Sequence, residues 1–86
     1  MKIKLISVRD VKTEMFTTPL CQPTEGAAIR SFQEAVNDKT TQFSKHPEDY
    51  SLYHVGNWDD STGLLETMQP KLLIEANQCR EIQTER

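Results

Sequence analysis

Two cysteines, three glycines and no long apolar run exclude several kinds of protein at once. Cys21 and Cys79 stand far apart with no C-x-x-C spacing, so they read as reduced thiols rather than as a disulfide framework or a zinc site. Three scattered glycines cannot build a phosphate-cradling loop, and no G-x-S-x-G elbow is present to expose a nucleophile. No stretch approaches the roughly 20 apolar residues of a membrane span. The opening MKIKLISVRD, broken by Lys4 and Arg9, is unlike a signal peptide, so a cytosolic protein with no membrane partner is expected. Hydrophobic residues are also scarce, at 36% of the chain, where ordinary globular proteins hold about 45–50% with glycine counted. A chain of 86 residues forms one small domain, and a domain of this size buries only roughly 60–65% of the surface its unfolded chain exposes. A thin core follows, and a homodimer is the simplest source of further burial.

The net charge of −3 conceals an asymmetry. Residues 1–46 carry seven basic side chains, Lys2, Lys4, Arg9, Lys12, Arg30, Lys39 and Lys45, against five acidic ones, giving +2. Residues 47–86 carry three basic against eight acidic, giving −5. Binding nucleic acid without sequence preference rests on neutralising phosphates, so an acidic total argues against a strong coating protein. A mixed soluble surface is the simpler account of these charges; a local patch of the seven basic residues is the functional one.

Along the chain, Lys2 to Asp10 alternates as a short strand, with Ile3 and Leu5 on one face and Ile6 and Val8 assigned to the other. After a polar connection, Glu14 to Gln22 reads as a second strand, which Pro19 confines to a sheet edge or breaks, since proline has no backbone donor. PTEGAAIRSFQEAVND predicts a helix over about 24–37: Thr24 can cap it, Glu25 suits its positive first turn, and Ala28, Ile29, Phe32, Ala35 and Val36 form an apolar stripe. Residues 39–49 read as a polar loop anchored by Phe43, residues 50–58 as strand, and LLETM at 64–68 as its partner. After Pro70, KLLIEANQC fits either a fifth strand or a short helix, with strand favoured for 71–75. The predicted fold is α+β: a small antiparallel sheet in β-β-α-β-β order, with 71–75 as a fifth strand and one helix on one face. Residues 1–76 make the single domain and 77–86 a flexible C-terminal tail. One helix leaves the other sheet face bare, which is a second reason to expect a dimer.

The stretch HVGNWDDSTG poses the sharpest chemical question. A calcium loop of the EF-hand kind needs glycine at its sixth position and glutamate at its twelfth; counted from Asp59, glycine comes too early and the twelfth residue is Pro70. Between strands, Asp59 and Asp60 can accept backbone N–H bonds and Gly63 can take the left-handed conformation that closes a hairpin. His46, Asp49 and His54 are of metal-ligating type, but a closed zinc site needs four ligands, and strand alternation sends His54 to a side the loop need not reach. Neither cysteine sits in a charge cluster that would lower its pKa. No catalytic residue, metal or cofactor is therefore expected, and the protein does not read as an enzyme. Tyr50, Tyr53 and Trp58 could stack bases if exposed beside Lys39 and Lys45, although strand aromatics more often belong to a core.

Taken together, MKIKL with VRD after it, GAAIRSFQEAVND, FSKHPEDYSLYHVG and DDSTG resemble the nonstructural protein of the gokushovirus-type microviruses, small phages with circular single-stranded DNA. The resemblance covers most of residues 1–75. It implies a protein of the host cytoplasm acting in viral single-stranded DNA replication or genome packaging. It also implies a counterpart of the protein that, in better-studied microviruses, turns DNA synthesis toward single-stranded genomes and their packaging into procapsids. It assigns no functional residue. Two expectations follow: a binding module for single-stranded DNA or for viral replication or procapsid proteins, and a dimeric adaptor directed only at host or capsid-assembly proteins.

Overall fold

A computed structural model describes residues 1–80. The elements are β1 (Lys2–Asp10), β2 (Met15–Phe16), β3 (Leu20–Gln22), α1 (Glu25–Val36), α2 (Gln42–Lys45), a 3-10 turn (Pro47–Asp49), β4 (Tyr50–Asp59), β5 (Leu65–Glu75) and α3 (Ala76–Cys79). All strand pairs are antiparallel: β2 and β3 lie on one side of β1, and β4 and then β5 follow on the other. The α+β sheet with one principal helix on one face is therefore the observed architecture.

The helix begins where its local chemistry dictates. Thr24 Oγ1 accepts the Ala27 N–H at 3.0 Å, satisfying one of the unpaired donors of the first turn. Ala28, Phe32 and Val36 then fall at helical spacing and are buried. At the far end, Asn37 Nδ2 donates to Gln33 O at 2.8 Å and to Cys79 O at 3.0 Å, tying the close of α1 to α3. Ala28, Phe32 and Val36 meet Ile6 and Val8 of β1, Leu52 of β4, and Ala76 and Cys79 of α3 in one core. Phe43 of α2 extends it, with its ring 5.5 Å from Phe32 and 4.9 Å from Tyr50.

Pro19 does break the second strand. Between β2 and β3, Thr17 replaces the missing ladder: its N–H donates to Val8 O at 2.8 Å and its Oγ1 accepts from Val8 N at 3.0 Å. Residues 39–49, expected as loop, contain α2 and the 3-10 turn. Thr41 makes α2 viable by accepting the Ser44 N–H at 3.1 Å, a local cap within a polar stretch that has little helical periodicity. The segments 64–68 and 71–75 belong to one strand, β5, whose register slips between Thr67 opposite Gly56 and Lys71 opposite His54. Pro70 is tolerated because β5 is a sheet edge and needs no donor there. Beyond Glu75 the chain turns into α3, where Ala76 and Cys79 are buried, so packed structure reaches Cys79. The remainder of the expected tail, 81–86, lies outside the described residues.

Asp59–Gly63 makes the turn between β4 and β5. Gly63 has φ +78°, its N–H donates to Asp59 O at 2.7 Å, and Ser61 N–H donates to Asp59 Oδ1 at 2.9 Å. The bond from Ser61 holds the Asp59 carboxyl below the usual carboxylate range. Asp60 N–H donates to Met1 O at 3.2 Å, joining the turn to the start of β1.

Candidate functional site

The sheet has two unlike faces. Directly opposed residues share a face and neighbours along a strand alternate. Ile6, Val8, Leu52 and His54 therefore look toward α1, while Ile3, Leu5, Ser7 and Arg9 of β1 look away from it. On that open face Ser7 is opposed by Tyr53, and Tyr53 by Leu72; Ile3 is opposed by Trp58, and Trp58 by Leu65. Val55 is an extra residue between the pairs Ile6–His54 and Leu5–Gly56, so the alternation of β4 slips by one there. Tyr50 and Trp58, an even number of residues apart, consequently end on opposite faces.

Across the open face runs a row of one cation and two aromatic rings. The Arg9 guanidinium lies 5.5 Å from the Phe16 ring centroid, and Phe16 meets Tyr53 edge-on at 5.3 Å and 72°. Among the described residues Arg9 has no carboxylate ion partner. Phe16 remains 39% exposed and Leu72 46% exposed, although both belong to paired strands. Beside the row, Ser7, Phe16, Thr17, Pro19, Val55 and Pro70 line a depression of about 260 Å³. Ser7 Oγ donates to Thr17 O at 2.6 Å, which fixes its floor.

The seven basic residues do not share this face. Lys2 pairs with Glu66 at 2.6 Å, and Lys4, opposite Asn57, lies on the helix side near the hairpin end. Arg9 joins the aromatic row. Lys12 is exposed in the turn after β1, Arg30 on the outer side of α1, Lys39 beyond α1, and Lys45 at the end of α2. Of the aromatics considered for stacking, Tyr53 is on the open face, Trp58 is half-buried nearer the hairpin, and Tyr50 packs into the core against Phe43. Phe16 lies in no cluster of basic residues along the sequence; only its pairing with Arg9 across β1 and β2 brings it into the row.

A second polar cluster joins the helix to the sheet. His54, buried on the helix face, places Nδ1 2.7 Å from Glu25 Oε2, and Nε2 2.9 Å from Gly56 O and 3.0 Å from Asn57 Oδ1. Lys71 Nζ donates to both Glu25 oxygens at 3.2 Å. The His54 bond, opposed by partial desolvation and supported by Lys71, holds the Glu25 carboxyl below its ordinary value. This cluster anchors the first turn of α1 to β4 and β5.

His54 is thus withdrawn from His46 and Asp49. Glu48 takes its place: among the described residues, ligating atoms of His46, Glu48 and Asp49 lie within 4.8 Å of one another. The two cysteines are free, Cys21 exposed and Cys79 buried, and burial pushes the Cys79 thiol up.

The fold defines a small α+β protein with one sheet face turned away from its principal helix, on which Ser7 is buried and Ile3, Leu5, Tyr53 and Trp58 are half-buried. A model of the phage ORF5 protein family matches residues 3–79, and the chain belongs to that family. No curated protein and no solved structure matches the chain. No helix among the described residues is long and apolar enough to cross a membrane.

Proposed function

We propose that this phage protein is a non-enzymatic binding module for single-stranded DNA, acting in the host cytoplasm in genome replication or packaging, with the open sheet face as its contact surface. The observation that carries this reading is the Arg9–Phe16–Tyr53 row, which joins a cation without a carboxylate ion partner among the described residues to two aromatic rings on the face away from α1. Bases stack on such rings irrespective of sequence, and each stacked base contributes about 1–3 kcal/mol. Arginine adds a phosphate or base-plane contact. Stacking also reconciles nucleic-acid binding with a net charge of −3, because little of the affinity has to come from phosphate neutralisation.

Fluorescence anisotropy with a labelled oligothymidylate tests this. The wild type binds, with a log–log salt slope near −0.7 for each of the few phosphates neutralised, and Tyr53→Ala and Arg9→Gln each weaken binding about tenfold. Absence of binding to single-stranded DNA at low salt removes the reading and leaves the adaptor. A homodimer is the second reading, supported by the exposure of Leu65 at 69% and Leu72 at 46% on the same face. Light scattering after size exclusion checks it: a mass near 9.9 kDa would reject the dimer. A dimer that loses its mass on addition of the oligonucleotide would place both partners on one surface.

A further inference from the structure

We propose that His46, Glu48 and Asp49 form a binding site for one divalent transition-metal cation of the zinc type, with one His46 ring nitrogen and one oxygen from each carboxylate as ligands. The site lies in the connection from α2 to β4. His46 has φ −134° and ψ 58°, Pro47 fixes the next residue, and Asp49 N–H donates to His46 O at 3.0 Å. This single 3-10 turn converges three ligand-bearing side chains from four consecutive residues.

Asp49 is what points to a ligand. It is only 9% exposed, yet its carboxylate makes no hydrogen bond or ion pair among the described residues. Buried polar groups ordinarily have a hydrogen-bond partner, and the Glu48 carboxylate and His46 ring are the ligating groups that lie beside this one. A cation placed among the three atoms supplies the missing partner. The atoms lie within 4.8 Å of one another, and the ligand–ligand edge around a metal with bonds of about 2.0–2.1 Å is roughly 3.4 Å. Small side-chain rotations close that difference, because His46 and Glu48 are exposed and free to turn. Their exposure also leaves a path for the ion and room for water to complete its coordination. The imidazole selects the class: calcium and magnesium favour oxygen-only sets, whereas zinc and its neighbours accept nitrogen with carboxylate oxygen. The site is separate from the open-face row, so it stands or falls independently of DNA binding.

Zinc titration of the full chain, followed by calorimetry and native mass spectrometry, tests the proposal. One zinc ion per chain is expected, with a rise in melting temperature that magnesium does not produce. His46→Ala alters an exposed side chain and should leave the fold intact, while weakening zinc affinity beyond the roughly 10–100-fold that loss of an outer-shell partner causes. Asp49→Asn removes one carboxylate ligand, so the variant should gain nothing from zinc. Cys21→Ser should bind zinc like the wild type. X-ray absorption should show only nitrogen and oxygen neighbours at about 2.0–2.1 Å. No uptake at millimolar zinc, unchanged affinity in His46→Ala, or a sulfur neighbour would each overturn the assignment.

Discussion

Phe32 and Phe16 are the same residue on opposite faces of one sheet. Phe32, on α1, is 4% exposed and surrounded by Ile6, Val8, Leu52 and Phe43. Phe16, on the short edge strand β2, is 39% exposed and meets the Arg9 guanidinium and the Tyr53 ring. Folding accounts for the first and not for the second. A residue whose burial is already complete contributes to stability; one held in ordered geometry on an uncovered face is available for something else to bury. A twelve-residue helix is only about 18 Å long, while ten residues of β4 extend about 33 Å. α1 therefore cannot shield even its own side of the sheet fully. On its side the uncovered part carries Lys2, Lys4, Asn57 and Glu66; on the other, Ile3, Trp58 and Leu65. Polar residues thus fill the exposed remainder of the helix side, and apolar and aromatic ones fill the open side.

Truncating each phenylalanine sharpens the contrast most. Phe32→Ala should cost about 3–5 kcal/mol in urea denaturation, a large share of the about 5–15 kcal/mol that holds a typical domain together. Phe16→Ala should cost about 1 kcal/mol, chiefly the edge-on ring contact. Equal losses would erase the distinction between the faces. Next in size is the polar anchor of the covered face. Glu25→Gln deprives His54 and Lys71 of their carboxylate, a change of about 1–3 kcal/mol near neutral pH. Its pH dependence has a definite sign. The folded Glu25 carboxyl lies below its ordinary value of 4.5, so its stabilisation is full above that pH and is lost as pH falls through the folded value. The variant should lose this part of the acid transition, which a pH series of melting curves would show; an unchanged acid limb would contradict the role of Glu25. Smallest is Lys2→Glu, at an exposed pair with Glu66, where no change in the denaturation midpoint beyond that of an ordinary surface substitution is expected.

The covered face is largely legible in the sequence because its signals are local. Thr24, Glu25 and the stripe ending at Val36 mark the helix within a dozen residues, and Asp59 to Gly63 carry their own turn chemistry. The open face is not. Alternation alone puts Tyr50 and Trp58 together, and only the extra residue Val55 moves Trp58 to the side of Tyr53. Phe16 becomes a partner of Arg9 through strand pairing across a turn that includes Glu14 at φ 60°. The Glu25–His54–Lys71 cluster joins residues 29 and 46 positions apart, a separation that no local pattern encodes. Glu48 is easily passed over, because in the sequence His54 is the natural companion of His46 and Asp49, and only the fold draws His54 into the core beside Glu25. The seven basic residues counted together in the first half are divided by the fold between both faces and both ends of the sheet.

Backbone amide shifts in a nitrogen-15 spectrum, recorded while an oligothymidylate is titrated into the protein, bear most directly on the open face as the DNA-binding surface. The expected result is a continuous set of perturbations at Ser7, Arg9, Phe16, Tyr53 and Leu72, with Ala28, Phe32 and Val36 of α1 unmoved. Perturbations confined to α1 and the exposed lysines, or none at low salt, would contradict it.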